Sequence, residues 1–257
     1  MDTKIFLDLN KLYIIADFDH TLTTKDSQNC WGILSKIPNI SSKYIKESKE
    51  NNDYYFPIEQ DDKINYQTKS KIMRNWYESH VDLLVKYSLK EAELNKISKD
   101  NSIVLREGVI EFLKFTNKYN IPVIIISAGI SNIIEGTLKK HNCLFNNVYI
   151  LSNIFKFKNG KLKSLRNQII HSLNKDKLEI PPKIKDILKN KDEVILLGDN
   201  IGDTLMSLKE NKKTLKIGFL NYNDNDKLNN FKKYFDIIYN KDESFLKIKD
   251  LIDKKSL

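Results

Sequence analysis

Residues 13–24 read Tyr13-Ile14-Ile15-Ala16-Asp17-Phe18-Asp19-His20-Thr21-Leu22-Thr23-Thr24, and the fold turns on how this stretch is read. An apolar run delivers two carboxylates spaced two apart, with a threonine close behind. Continuous β-branched hydrophobicity marks a strand buried on both faces, as in parallel sheets. Open α/β sheets carry their chemistry just beyond the carboxyl ends of such strands. In extended backbone Asp17 and Asp19 project to the same side. There they can hold a divalent cation through oxygen, or act as nucleophile and proton shuttle. A strand running into an ordinary Asx turn has the same composition, so the rest of the chain has to decide.

Working outward, an α/β alternation runs from Leu105 to the C-terminus. Gly108 to Tyr119 is amphipathic, and Pro122 to Ile126 is a second buried strand ending in Ser127-Ala128-Gly129. Ser131 is placed to cap a following helix. Val148 to Leu151 reads as a strand, and Asn159-Gly160 sits between alternating residues as a hairpin turn. Pro181 and Pro182 open a helix. Val194 to Leu197 is a third apolar strand, running into Gly198-Asp199-Asn200-Ile201-Gly202-Asp203. Thr214 to Phe219 and Phe235 to Tyr239 add strands, and Ser244 to Ile252 a closing helix. Strands alternating with helices predict a mostly parallel sheet with right-handed crossovers. Residues 25–103 are polar and helix-like instead. Asn39 to Ser42 and Asn51 to Pro57 read as loops, Ser70 to Leu89 has helical spacing, and Glu91 to Ile97 continues as a short helix. The expected architecture is an α/β, Rossmann-like core of residues 1–24 and 104–257, with a helical cap, residues 25–103, inserted after the first strand.

At 257 residues the chain has room for one core plus such an insertion. Lysine and arginine total 43 against 34 acids, a net charge of +9 that suits an anionic substrate such as a phosphate ester. The lysines are scattered and no stretch concentrates arginine with aromatics, so nucleic acid is not the expected partner. Cys30 and Cys143 make no disulfide framework or cysteine-rich zinc motif. Met1 to Asn10 lacks the apolar core of a signal peptide, and no run is long enough to span a membrane. The expectation is a cytoplasmic protein, a monomer or weak oligomer.

Three apolar strands thus end in small or acidic residues. Ser127-Ala128-Gly129 offers a hydroxyl and backbone N–H groups beside a helix start, a fit for phosphate oxygens. Asp199 and Asp203 lie on a glycine-permitted turn, where hard carboxylates suit Mg²⁺. Four carboxylates (Asp17, Asp19, Asp199 and Asp203) would repel one another and raise each other's pKa. A divalent metal and a nearby lysine would relieve this, and composition alone does not choose the lysine.

With the strand-end motifs, the chain resembles the haloacid dehalogenase (HAD) superfamily of phosphohydrolases. Within it, the chain is similar to the cytosolic pyrimidine 5′-nucleotidases (cytosolic 5′-nucleotidase III). The stretches that carry this include Ala16 to Leu22, Trp76-Tyr77 with Ser79-His80, Leu105 to Gly108, Ser127 to Ile130, Ser152-Asn153, Asn174-Lys175, Leu197 to Asp203 and Leu215 to Leu220. The resemblance implies Asp17 as nucleophile and Asp19 as general acid and base. It implies Mg²⁺ on the Asp17 and Asp199 carboxylates and the Asp19 carbonyl, with Asp203 supporting that shell. Ser127 and Lys175 would hold the phosphoryl oxygens, though Lys161, Lys163 and Lys177 lie close in sequence. The cap would close over a nucleoside 5′-monophosphate such as CMP or UMP. The family carries a glutamate before the Trp-Tyr pair. Here Asn75 stands there, with Trp76 next and Glu78 one turn later, which implies altered base preference or a contact taken over by Glu78. A phosphatase for phosphoserine or a sugar phosphate, and a non-catalytic basic binding protein on this fold, are the alternatives.

Overall fold

The computed structural model describes residues 7–61, 63–206, 208, 211, 213–222 and 225–255. Residues 1–6, on which the reading of the N-terminus mostly rests, lie outside them. In chain order the strands are β1 (Leu12–Ala16), β2 (Val123–Ile130), β3 (Val148–Asn153), β4 (Phe155–Lys158), β5 (Lys161–Leu165), β6 (Glu193–Gly198), β7 (Lys213–Leu220) and β8 (Ile237–Asn240). The helices are α1 (Ser42–Gln60), α2 (Tyr66–Lys86), α3 (Glu91–Ile97), α4 (Val109–Lys118), α5 (Ser131–Lys140), α6 (Pro182–Leu188), α7 (Asn225–Phe231) and α8 (Leu246–Lys255).

Six strands form one parallel sheet in the order β3-β2-β1-β6-β7-β8. Alternate residues of each inner strand enter opposite cores, which is why the strands read as unbroken apolar runs rather than alternating ones. Ile14, Ala16, Ile125 and Leu197 join Phe112 of α4 and Ile248 of α8 on one face. Tyr13, Ile15, Ile124 and Leu196 join Ile184 and Leu188 of α6 on the other. Each buried isoleucine or leucine contributes roughly 1.5–3 kcal/mol, so this double-faced burial dominates stability and fixes the register. The chain runs outward from β1 through β2 and β3 on one side, and from β6 through β7 and β8 on the other. The crevice therefore opens between the carboxyl ends of β1 and β6, where such sheets bind ligands.

The predicted hairpin is present as β4–β5, with Asn159 and Gly160 both in left-handed backbone (φ 51° and 71°). Other details depart from the sequence reading. Asn51 to Pro57 is not a loop but lies inside α1, which continues through Pro57 to Gln60. Packing on α2 overrides the local signals: Tyr44 is buried, Ser79 donates to the Asn51 side chain at 2.9 Å, and Lys49 pairs with Asp53 one turn on. Ser131 opens α5 without capping it, because its hydroxyl is 2.6 Å from that of Ser152 on β3. Phe235 precedes β8 and stacks on Phe231 of α7, a helix the periodicity did not mark. The 25–103 segment divides in its packing. Helices α1 and α2 pack on each other and α2 also meets β5, whereas α3 packs on α5. That last contact is close: a Cβ on Gly136 would stand 2.0 Å from the Ser98 hydroxyl.

His80 on α2 faces inward, its ring 5.0 Å from Trp31 and its Nε2 3.2 Å from the Tyr44 hydroxyl. Burial pushes its imidazole down to about 4. The folded protein thus keeps His80 neutral where the unfolded chain, titrating near 6.5, already binds a proton. The His80 contribution is complete above about pH 6.5 and is lost as pH falls toward 4, amounting to at most about 3 kcal/mol. Urea unfolding of His80→Phe across this window is expected to show a shallower loss of stability with falling pH than the wild type.

Candidate active site

Asp17 follows β1 directly, and its backbone N–H donates to Leu197 O of β6 at 3.0 Å, so the ladder itself carries it to the crevice. Across that crevice β6 ends in Gly198 and the chain turns through Asp199 to Asp203. A Cβ on Gly198 would meet the Asp203 side chain at 2.4 Å, so only glycine leaves room for this acid under the strand end. Asp203 closes the turn by accepting the Asp199 and Asn200 N–H groups on Oδ2, at 3.2 and 3.0 Å. Its Oδ1 accepts from Lys175 Nζ at 2.7 Å, and the same ammonium donates to Asp17 Oδ1 at 2.5 Å. All three side chains are almost fully buried.

Lys161, Lys163 and Lys177 are exposed, and the structure brings Lys175 alone of the four to the acids. The two carboxylates beside it hold its ammonium in the charged form against a strong desolvation. Burial raises the Asp17 carboxyl, Lys175 pulls it back and Asp203 adds to the rise. Asp199 is raised well above the carboxylate range by burial and then by Asp203 and Asp17, with Lys175 and Arg106 opposing. Oxygens of Asp17, Asp199 and Asp203 lie within 4.8 Å of one another. This all-oxygen set fits a hard divalent cation such as Mg²⁺. Each carboxylate oxygen keeps a lone pair beyond its hydrogen bond, so Asp17, Asp199 and Asp203 all have the capacity to ligate.

The Asp19 carboxylate turns elsewhere, its two oxygens 3.1 and 3.2 Å from the Cys30 N–H that donates to them. Burial raises its carboxyl while that hydrogen bond lowers it, so it is a carboxyl able to hold a proton. Ser127 is buried in the second half of β2, and its Oγ accepts the Gly129 N–H at 2.9 Å. Accepting leaves the Ser127 hydroxyl proton available to another oxygen. The Gly129 N–H, expected to meet phosphate beyond a strand ending at Ile126, is instead engaged inside β2, which continues to Ile130. The Ala128 carbonyl accepts from Trp31 Nε1 and Asn153 Nδ2, at 2.9 and 2.8 Å. Asn153 also bonds both backbone groups of Ile170, tying this end of β2 to the segment that delivers Lys175.

On α2, Asn75 is exposed and Glu78 accepts from Arg74 at 2.9 Å. Tyr77 of α2 is packed edge-on to Trp31, ring centroids 5.4 Å apart, and burial, with Glu59 next, raises its phenol. Trp76 lies parallel to Tyr55, centroids 5.9 Å apart and planes 14° apart. Trp31 and Asn221 were not singled out from the sequence, and Asn153 and Arg106 entered only within stretches that carry the resemblance, with no role given to them. The one usable signal was Arg106, since arginine occurs only at 74, 106 and 166 in a chain otherwise relying on lysine.

A parallel sheet with acids at the ends of two adjacent central strands, a buried lysine between them and helices inserted after the first strand defines a HAD-type phosphatase fold. A substrate-bound phosphoserine phosphatase shares it as a likeness of fold, with a TM-score of 0.60 at 22% identity over 94% of this chain and 98% of that one. The chain belongs to the pyrimidine 5′-nucleotidase (UMPH-1) family, whose model matches residues 15–255, and is a nucleotidase of that family. It is 32% identical over 244 residues to the 7-methylguanosine phosphate-specific 5′-nucleotidase of Mus musculus, covering 91% of this chain and 81% of that protein. Cytosolic 5′-nucleotidase IIIB bound to cytidine matches at a TM-score of 0.87 and 25% identity, over 96% of this chain and 88% of that one. No helix among the described residues is long and apolar enough to cross a membrane.

Replacing Lys175 leaves two buried carboxylates facing each other, and losing one partner of a buried ionic cluster typically costs about 3–5 kcal/mol. Lys175→Met is expected to lose that much in urea unfolding at neutral pH. Lys177→Met, at an exposed position, is expected to stay within about 0.5 kcal/mol of wild type.

Proposed function

We propose that this protein is a cytoplasmic, Mg²⁺-dependent 5′-nucleotidase that hydrolyses pyrimidine nucleoside 5′-monophosphates such as CMP and UMP through an aspartyl-phosphate. The observation that carries the chemistry is the Lys175 ammonium shared by Asp17 and Asp203 at the mouth of the sheet. Asp17, with one oxygen on Lys175, presents its other oxygen to phosphorus, while the O5′–P bond breaks on the far side. Asp19 gives its proton to the departing nucleoside oxygen. It then takes one from the water that attacks the aspartyl-phosphate, releasing inorganic phosphate and restoring Asp17. Lys175, the Ser127 hydroxyl and the Ala128 N–H hold the equatorial oxygens, so the protein contributes positioning and charge stabilisation rather than further covalent chemistry. Mg²⁺, held by Asp17, Asp199 and the Asp19 carbonyl with Asp203 behind them, would neutralise phosphoryl charge as it spreads in the transition state.

Residues 25–103 act as the cap, with Trp76 and Tyr77 offering the aromatic surface for the base and Asn75 at its edge. Relatives named as 7-methylguanosine phosphate-specific support 7-methyl-GMP as a second substrate, and a cationic base gains from the faces of Trp76 and Tyr55. Asn75 both donates and accepts, so it tolerates a carbonyl or an amino edge, whereas a carboxylate would only accept.

Phosphate release from CMP, UMP, 7-methyl-GMP, phosphoserine and a sugar phosphate, with and without Mg²⁺, tests this reading. Expected are Mg²⁺-dependent release favouring the nucleotides and no release by Asp17→Asn. Release from the generic esters alone would overturn the substrate. Asn75→Glu is expected to favour CMP over UMP by about tenfold, since a charge-assisted hydrogen bond to the exocyclic amine is worth roughly 1.5–3 kcal/mol. Glu78→Ala, which loses only an exposed pair with Arg74, is expected to leave the ratios among the three nucleotides unchanged.

A further inference from the structure

Arg106 precedes α4 and lies outside the acid cluster, yet its side chain is entirely buried. Its Nε donates to Thr21 O at 2.8 Å. Its Nη2 donates to His20 O at 2.6 Å and to Asn221 Oδ1 at 2.7 Å. Its Nη1 donates to Lys241 O and, at 3.0 Å, to Asp242 Oδ1. The guanidinium lies 4.5 Å from the centroid of the Phe219 ring. One side chain therefore joins the loop after β1, the loop after β7 and the turn after β8.

The consequence reaches Asp199. A guanidinium has donors and no acceptor, so the Asn221 amide must turn its oxygen to Arg106. Its Nδ2 then points the other way, donating to Asp199 Oδ2 at 3.3 Å and to His20 O at 3.0 Å. Thr21, whose carbonyl Arg106 holds, donates its hydroxyl to Asp199 Oδ1 at 3.4 Å. Both oxygens of Asp199 are thus steered by groups that Arg106 orients. His20 sits between them in left-handed backbone (φ 60°), an uncommon state for a side chain of its size, and its carbonyl is held twice.

We propose that Arg106 is a positioning residue for the cation site: its fork fixes the Asn221 amide and Thr21, and these aim the Asp199 carboxylate at the cation it shares with Asp17. The proposal rests on the metal role given to Asp199 above. Partners of metal ligands typically shift metal affinity 10–100-fold when removed. A lysine at 106 keeps the charge but cannot hold three loops at once.

The test is direct titration of Mn²⁺ into the purified protein without nucleotide, reading free Mn²⁺ by electron paramagnetic resonance, alongside thermal unfolding. Asn221→Ala is expected to raise the Mn²⁺ Kd about tenfold or more. Arg106→Lys is expected to shift it in the same direction, and the double variant no further than the worse single one. Asp242→Asn loses an ion pair of the same guanidinium but none of the groups on Asp199. It is expected to lower the unfolding temperature with no change in Kd. A wild-type Kd in Asn221→Ala would overturn the relay even if Arg106→Lys fails to fold. An equal rise in Asp242→Asn would reduce Arg106 to a structural tie. Absence of Mn²⁺ binding by the wild type would overturn the metal reading itself, and the relay with it.

Discussion

The ammonium of Lys175, placed between Asp17 and Asp203, is what allows this site to exist. Buried carboxylates repel one another and cost several kcal/mol each to desolvate. The ladder and the two apolar cores hold the ends of β1 and β6 side by side, and a cation among their acids offsets the repulsion that this pairing creates. Lys175 is buried with them and satisfies an oxygen on each. It ties a segment 28 residues away from Asp203, and 158 from Asp17, to the two central strands. The contact that offsets the repulsion also leaves a buried ammonium at the carboxyl ends of β1 and β6.

A second cation works at a distance. Arg106 touches no acid of the cluster, but it binds the loops that bring Thr21 and Asn221 to Asp199. The two cations divide the task by chemistry. Lysine is a compact charge suited to a shared position between two oxygens, and arginine a rigid fork suited to several carbonyls at once. This division explains how a chain with so few arginines keeps one wholly buried.

The helices of the 25–103 segment meet the core through polar as well as apolar contacts. Tyr66 of α2 donates to Leu173 O, and Ser172 donates to Glu59 of α1, both beside the segment that carries Lys175. Tyr77 of α2 meets Trp31 edge-on, and Trp31 in turn donates to the Ala128 carbonyl of β2. The segment that carries Lys175 and the helices of residues 25–103 are therefore adjacent, and Tyr44, Val81 and Leu84 of those helices belong to the same buried apolar cluster as the sheet.

Much of the architecture was legible from the sequence because burial on both faces leaves an unmistakable pattern. The unbroken runs at Tyr13 to Ala16, Ile124 to Ile126 and Val194 to Leu197 permit little but inner strands of a parallel sheet, and the acids and small residues after them mark its catalytic edge. Helix α1 was not legible, because Asn51, Asn52 and Pro57 are locally loop-like and only the face of α2 outweighs them. Nor was the end of β2, where Gly129 gives its N–H to Ser127 and the Ser131 and Ser152 hydroxyls share a hydrogen bond. By itself the sequence determined the sheet, the order of its motifs and the acids they present, since these follow from short-range periodicity and residue chemistry. Tertiary structure alone decided which lysine joins the acids, that Asp203 spends its oxygens on the turn and on Lys175, and that Arg106 governs the bearing of Asp199. Those are contacts between residues up to 178 positions apart, and directional hydrogen bonding across such separations leaves no local periodic trace.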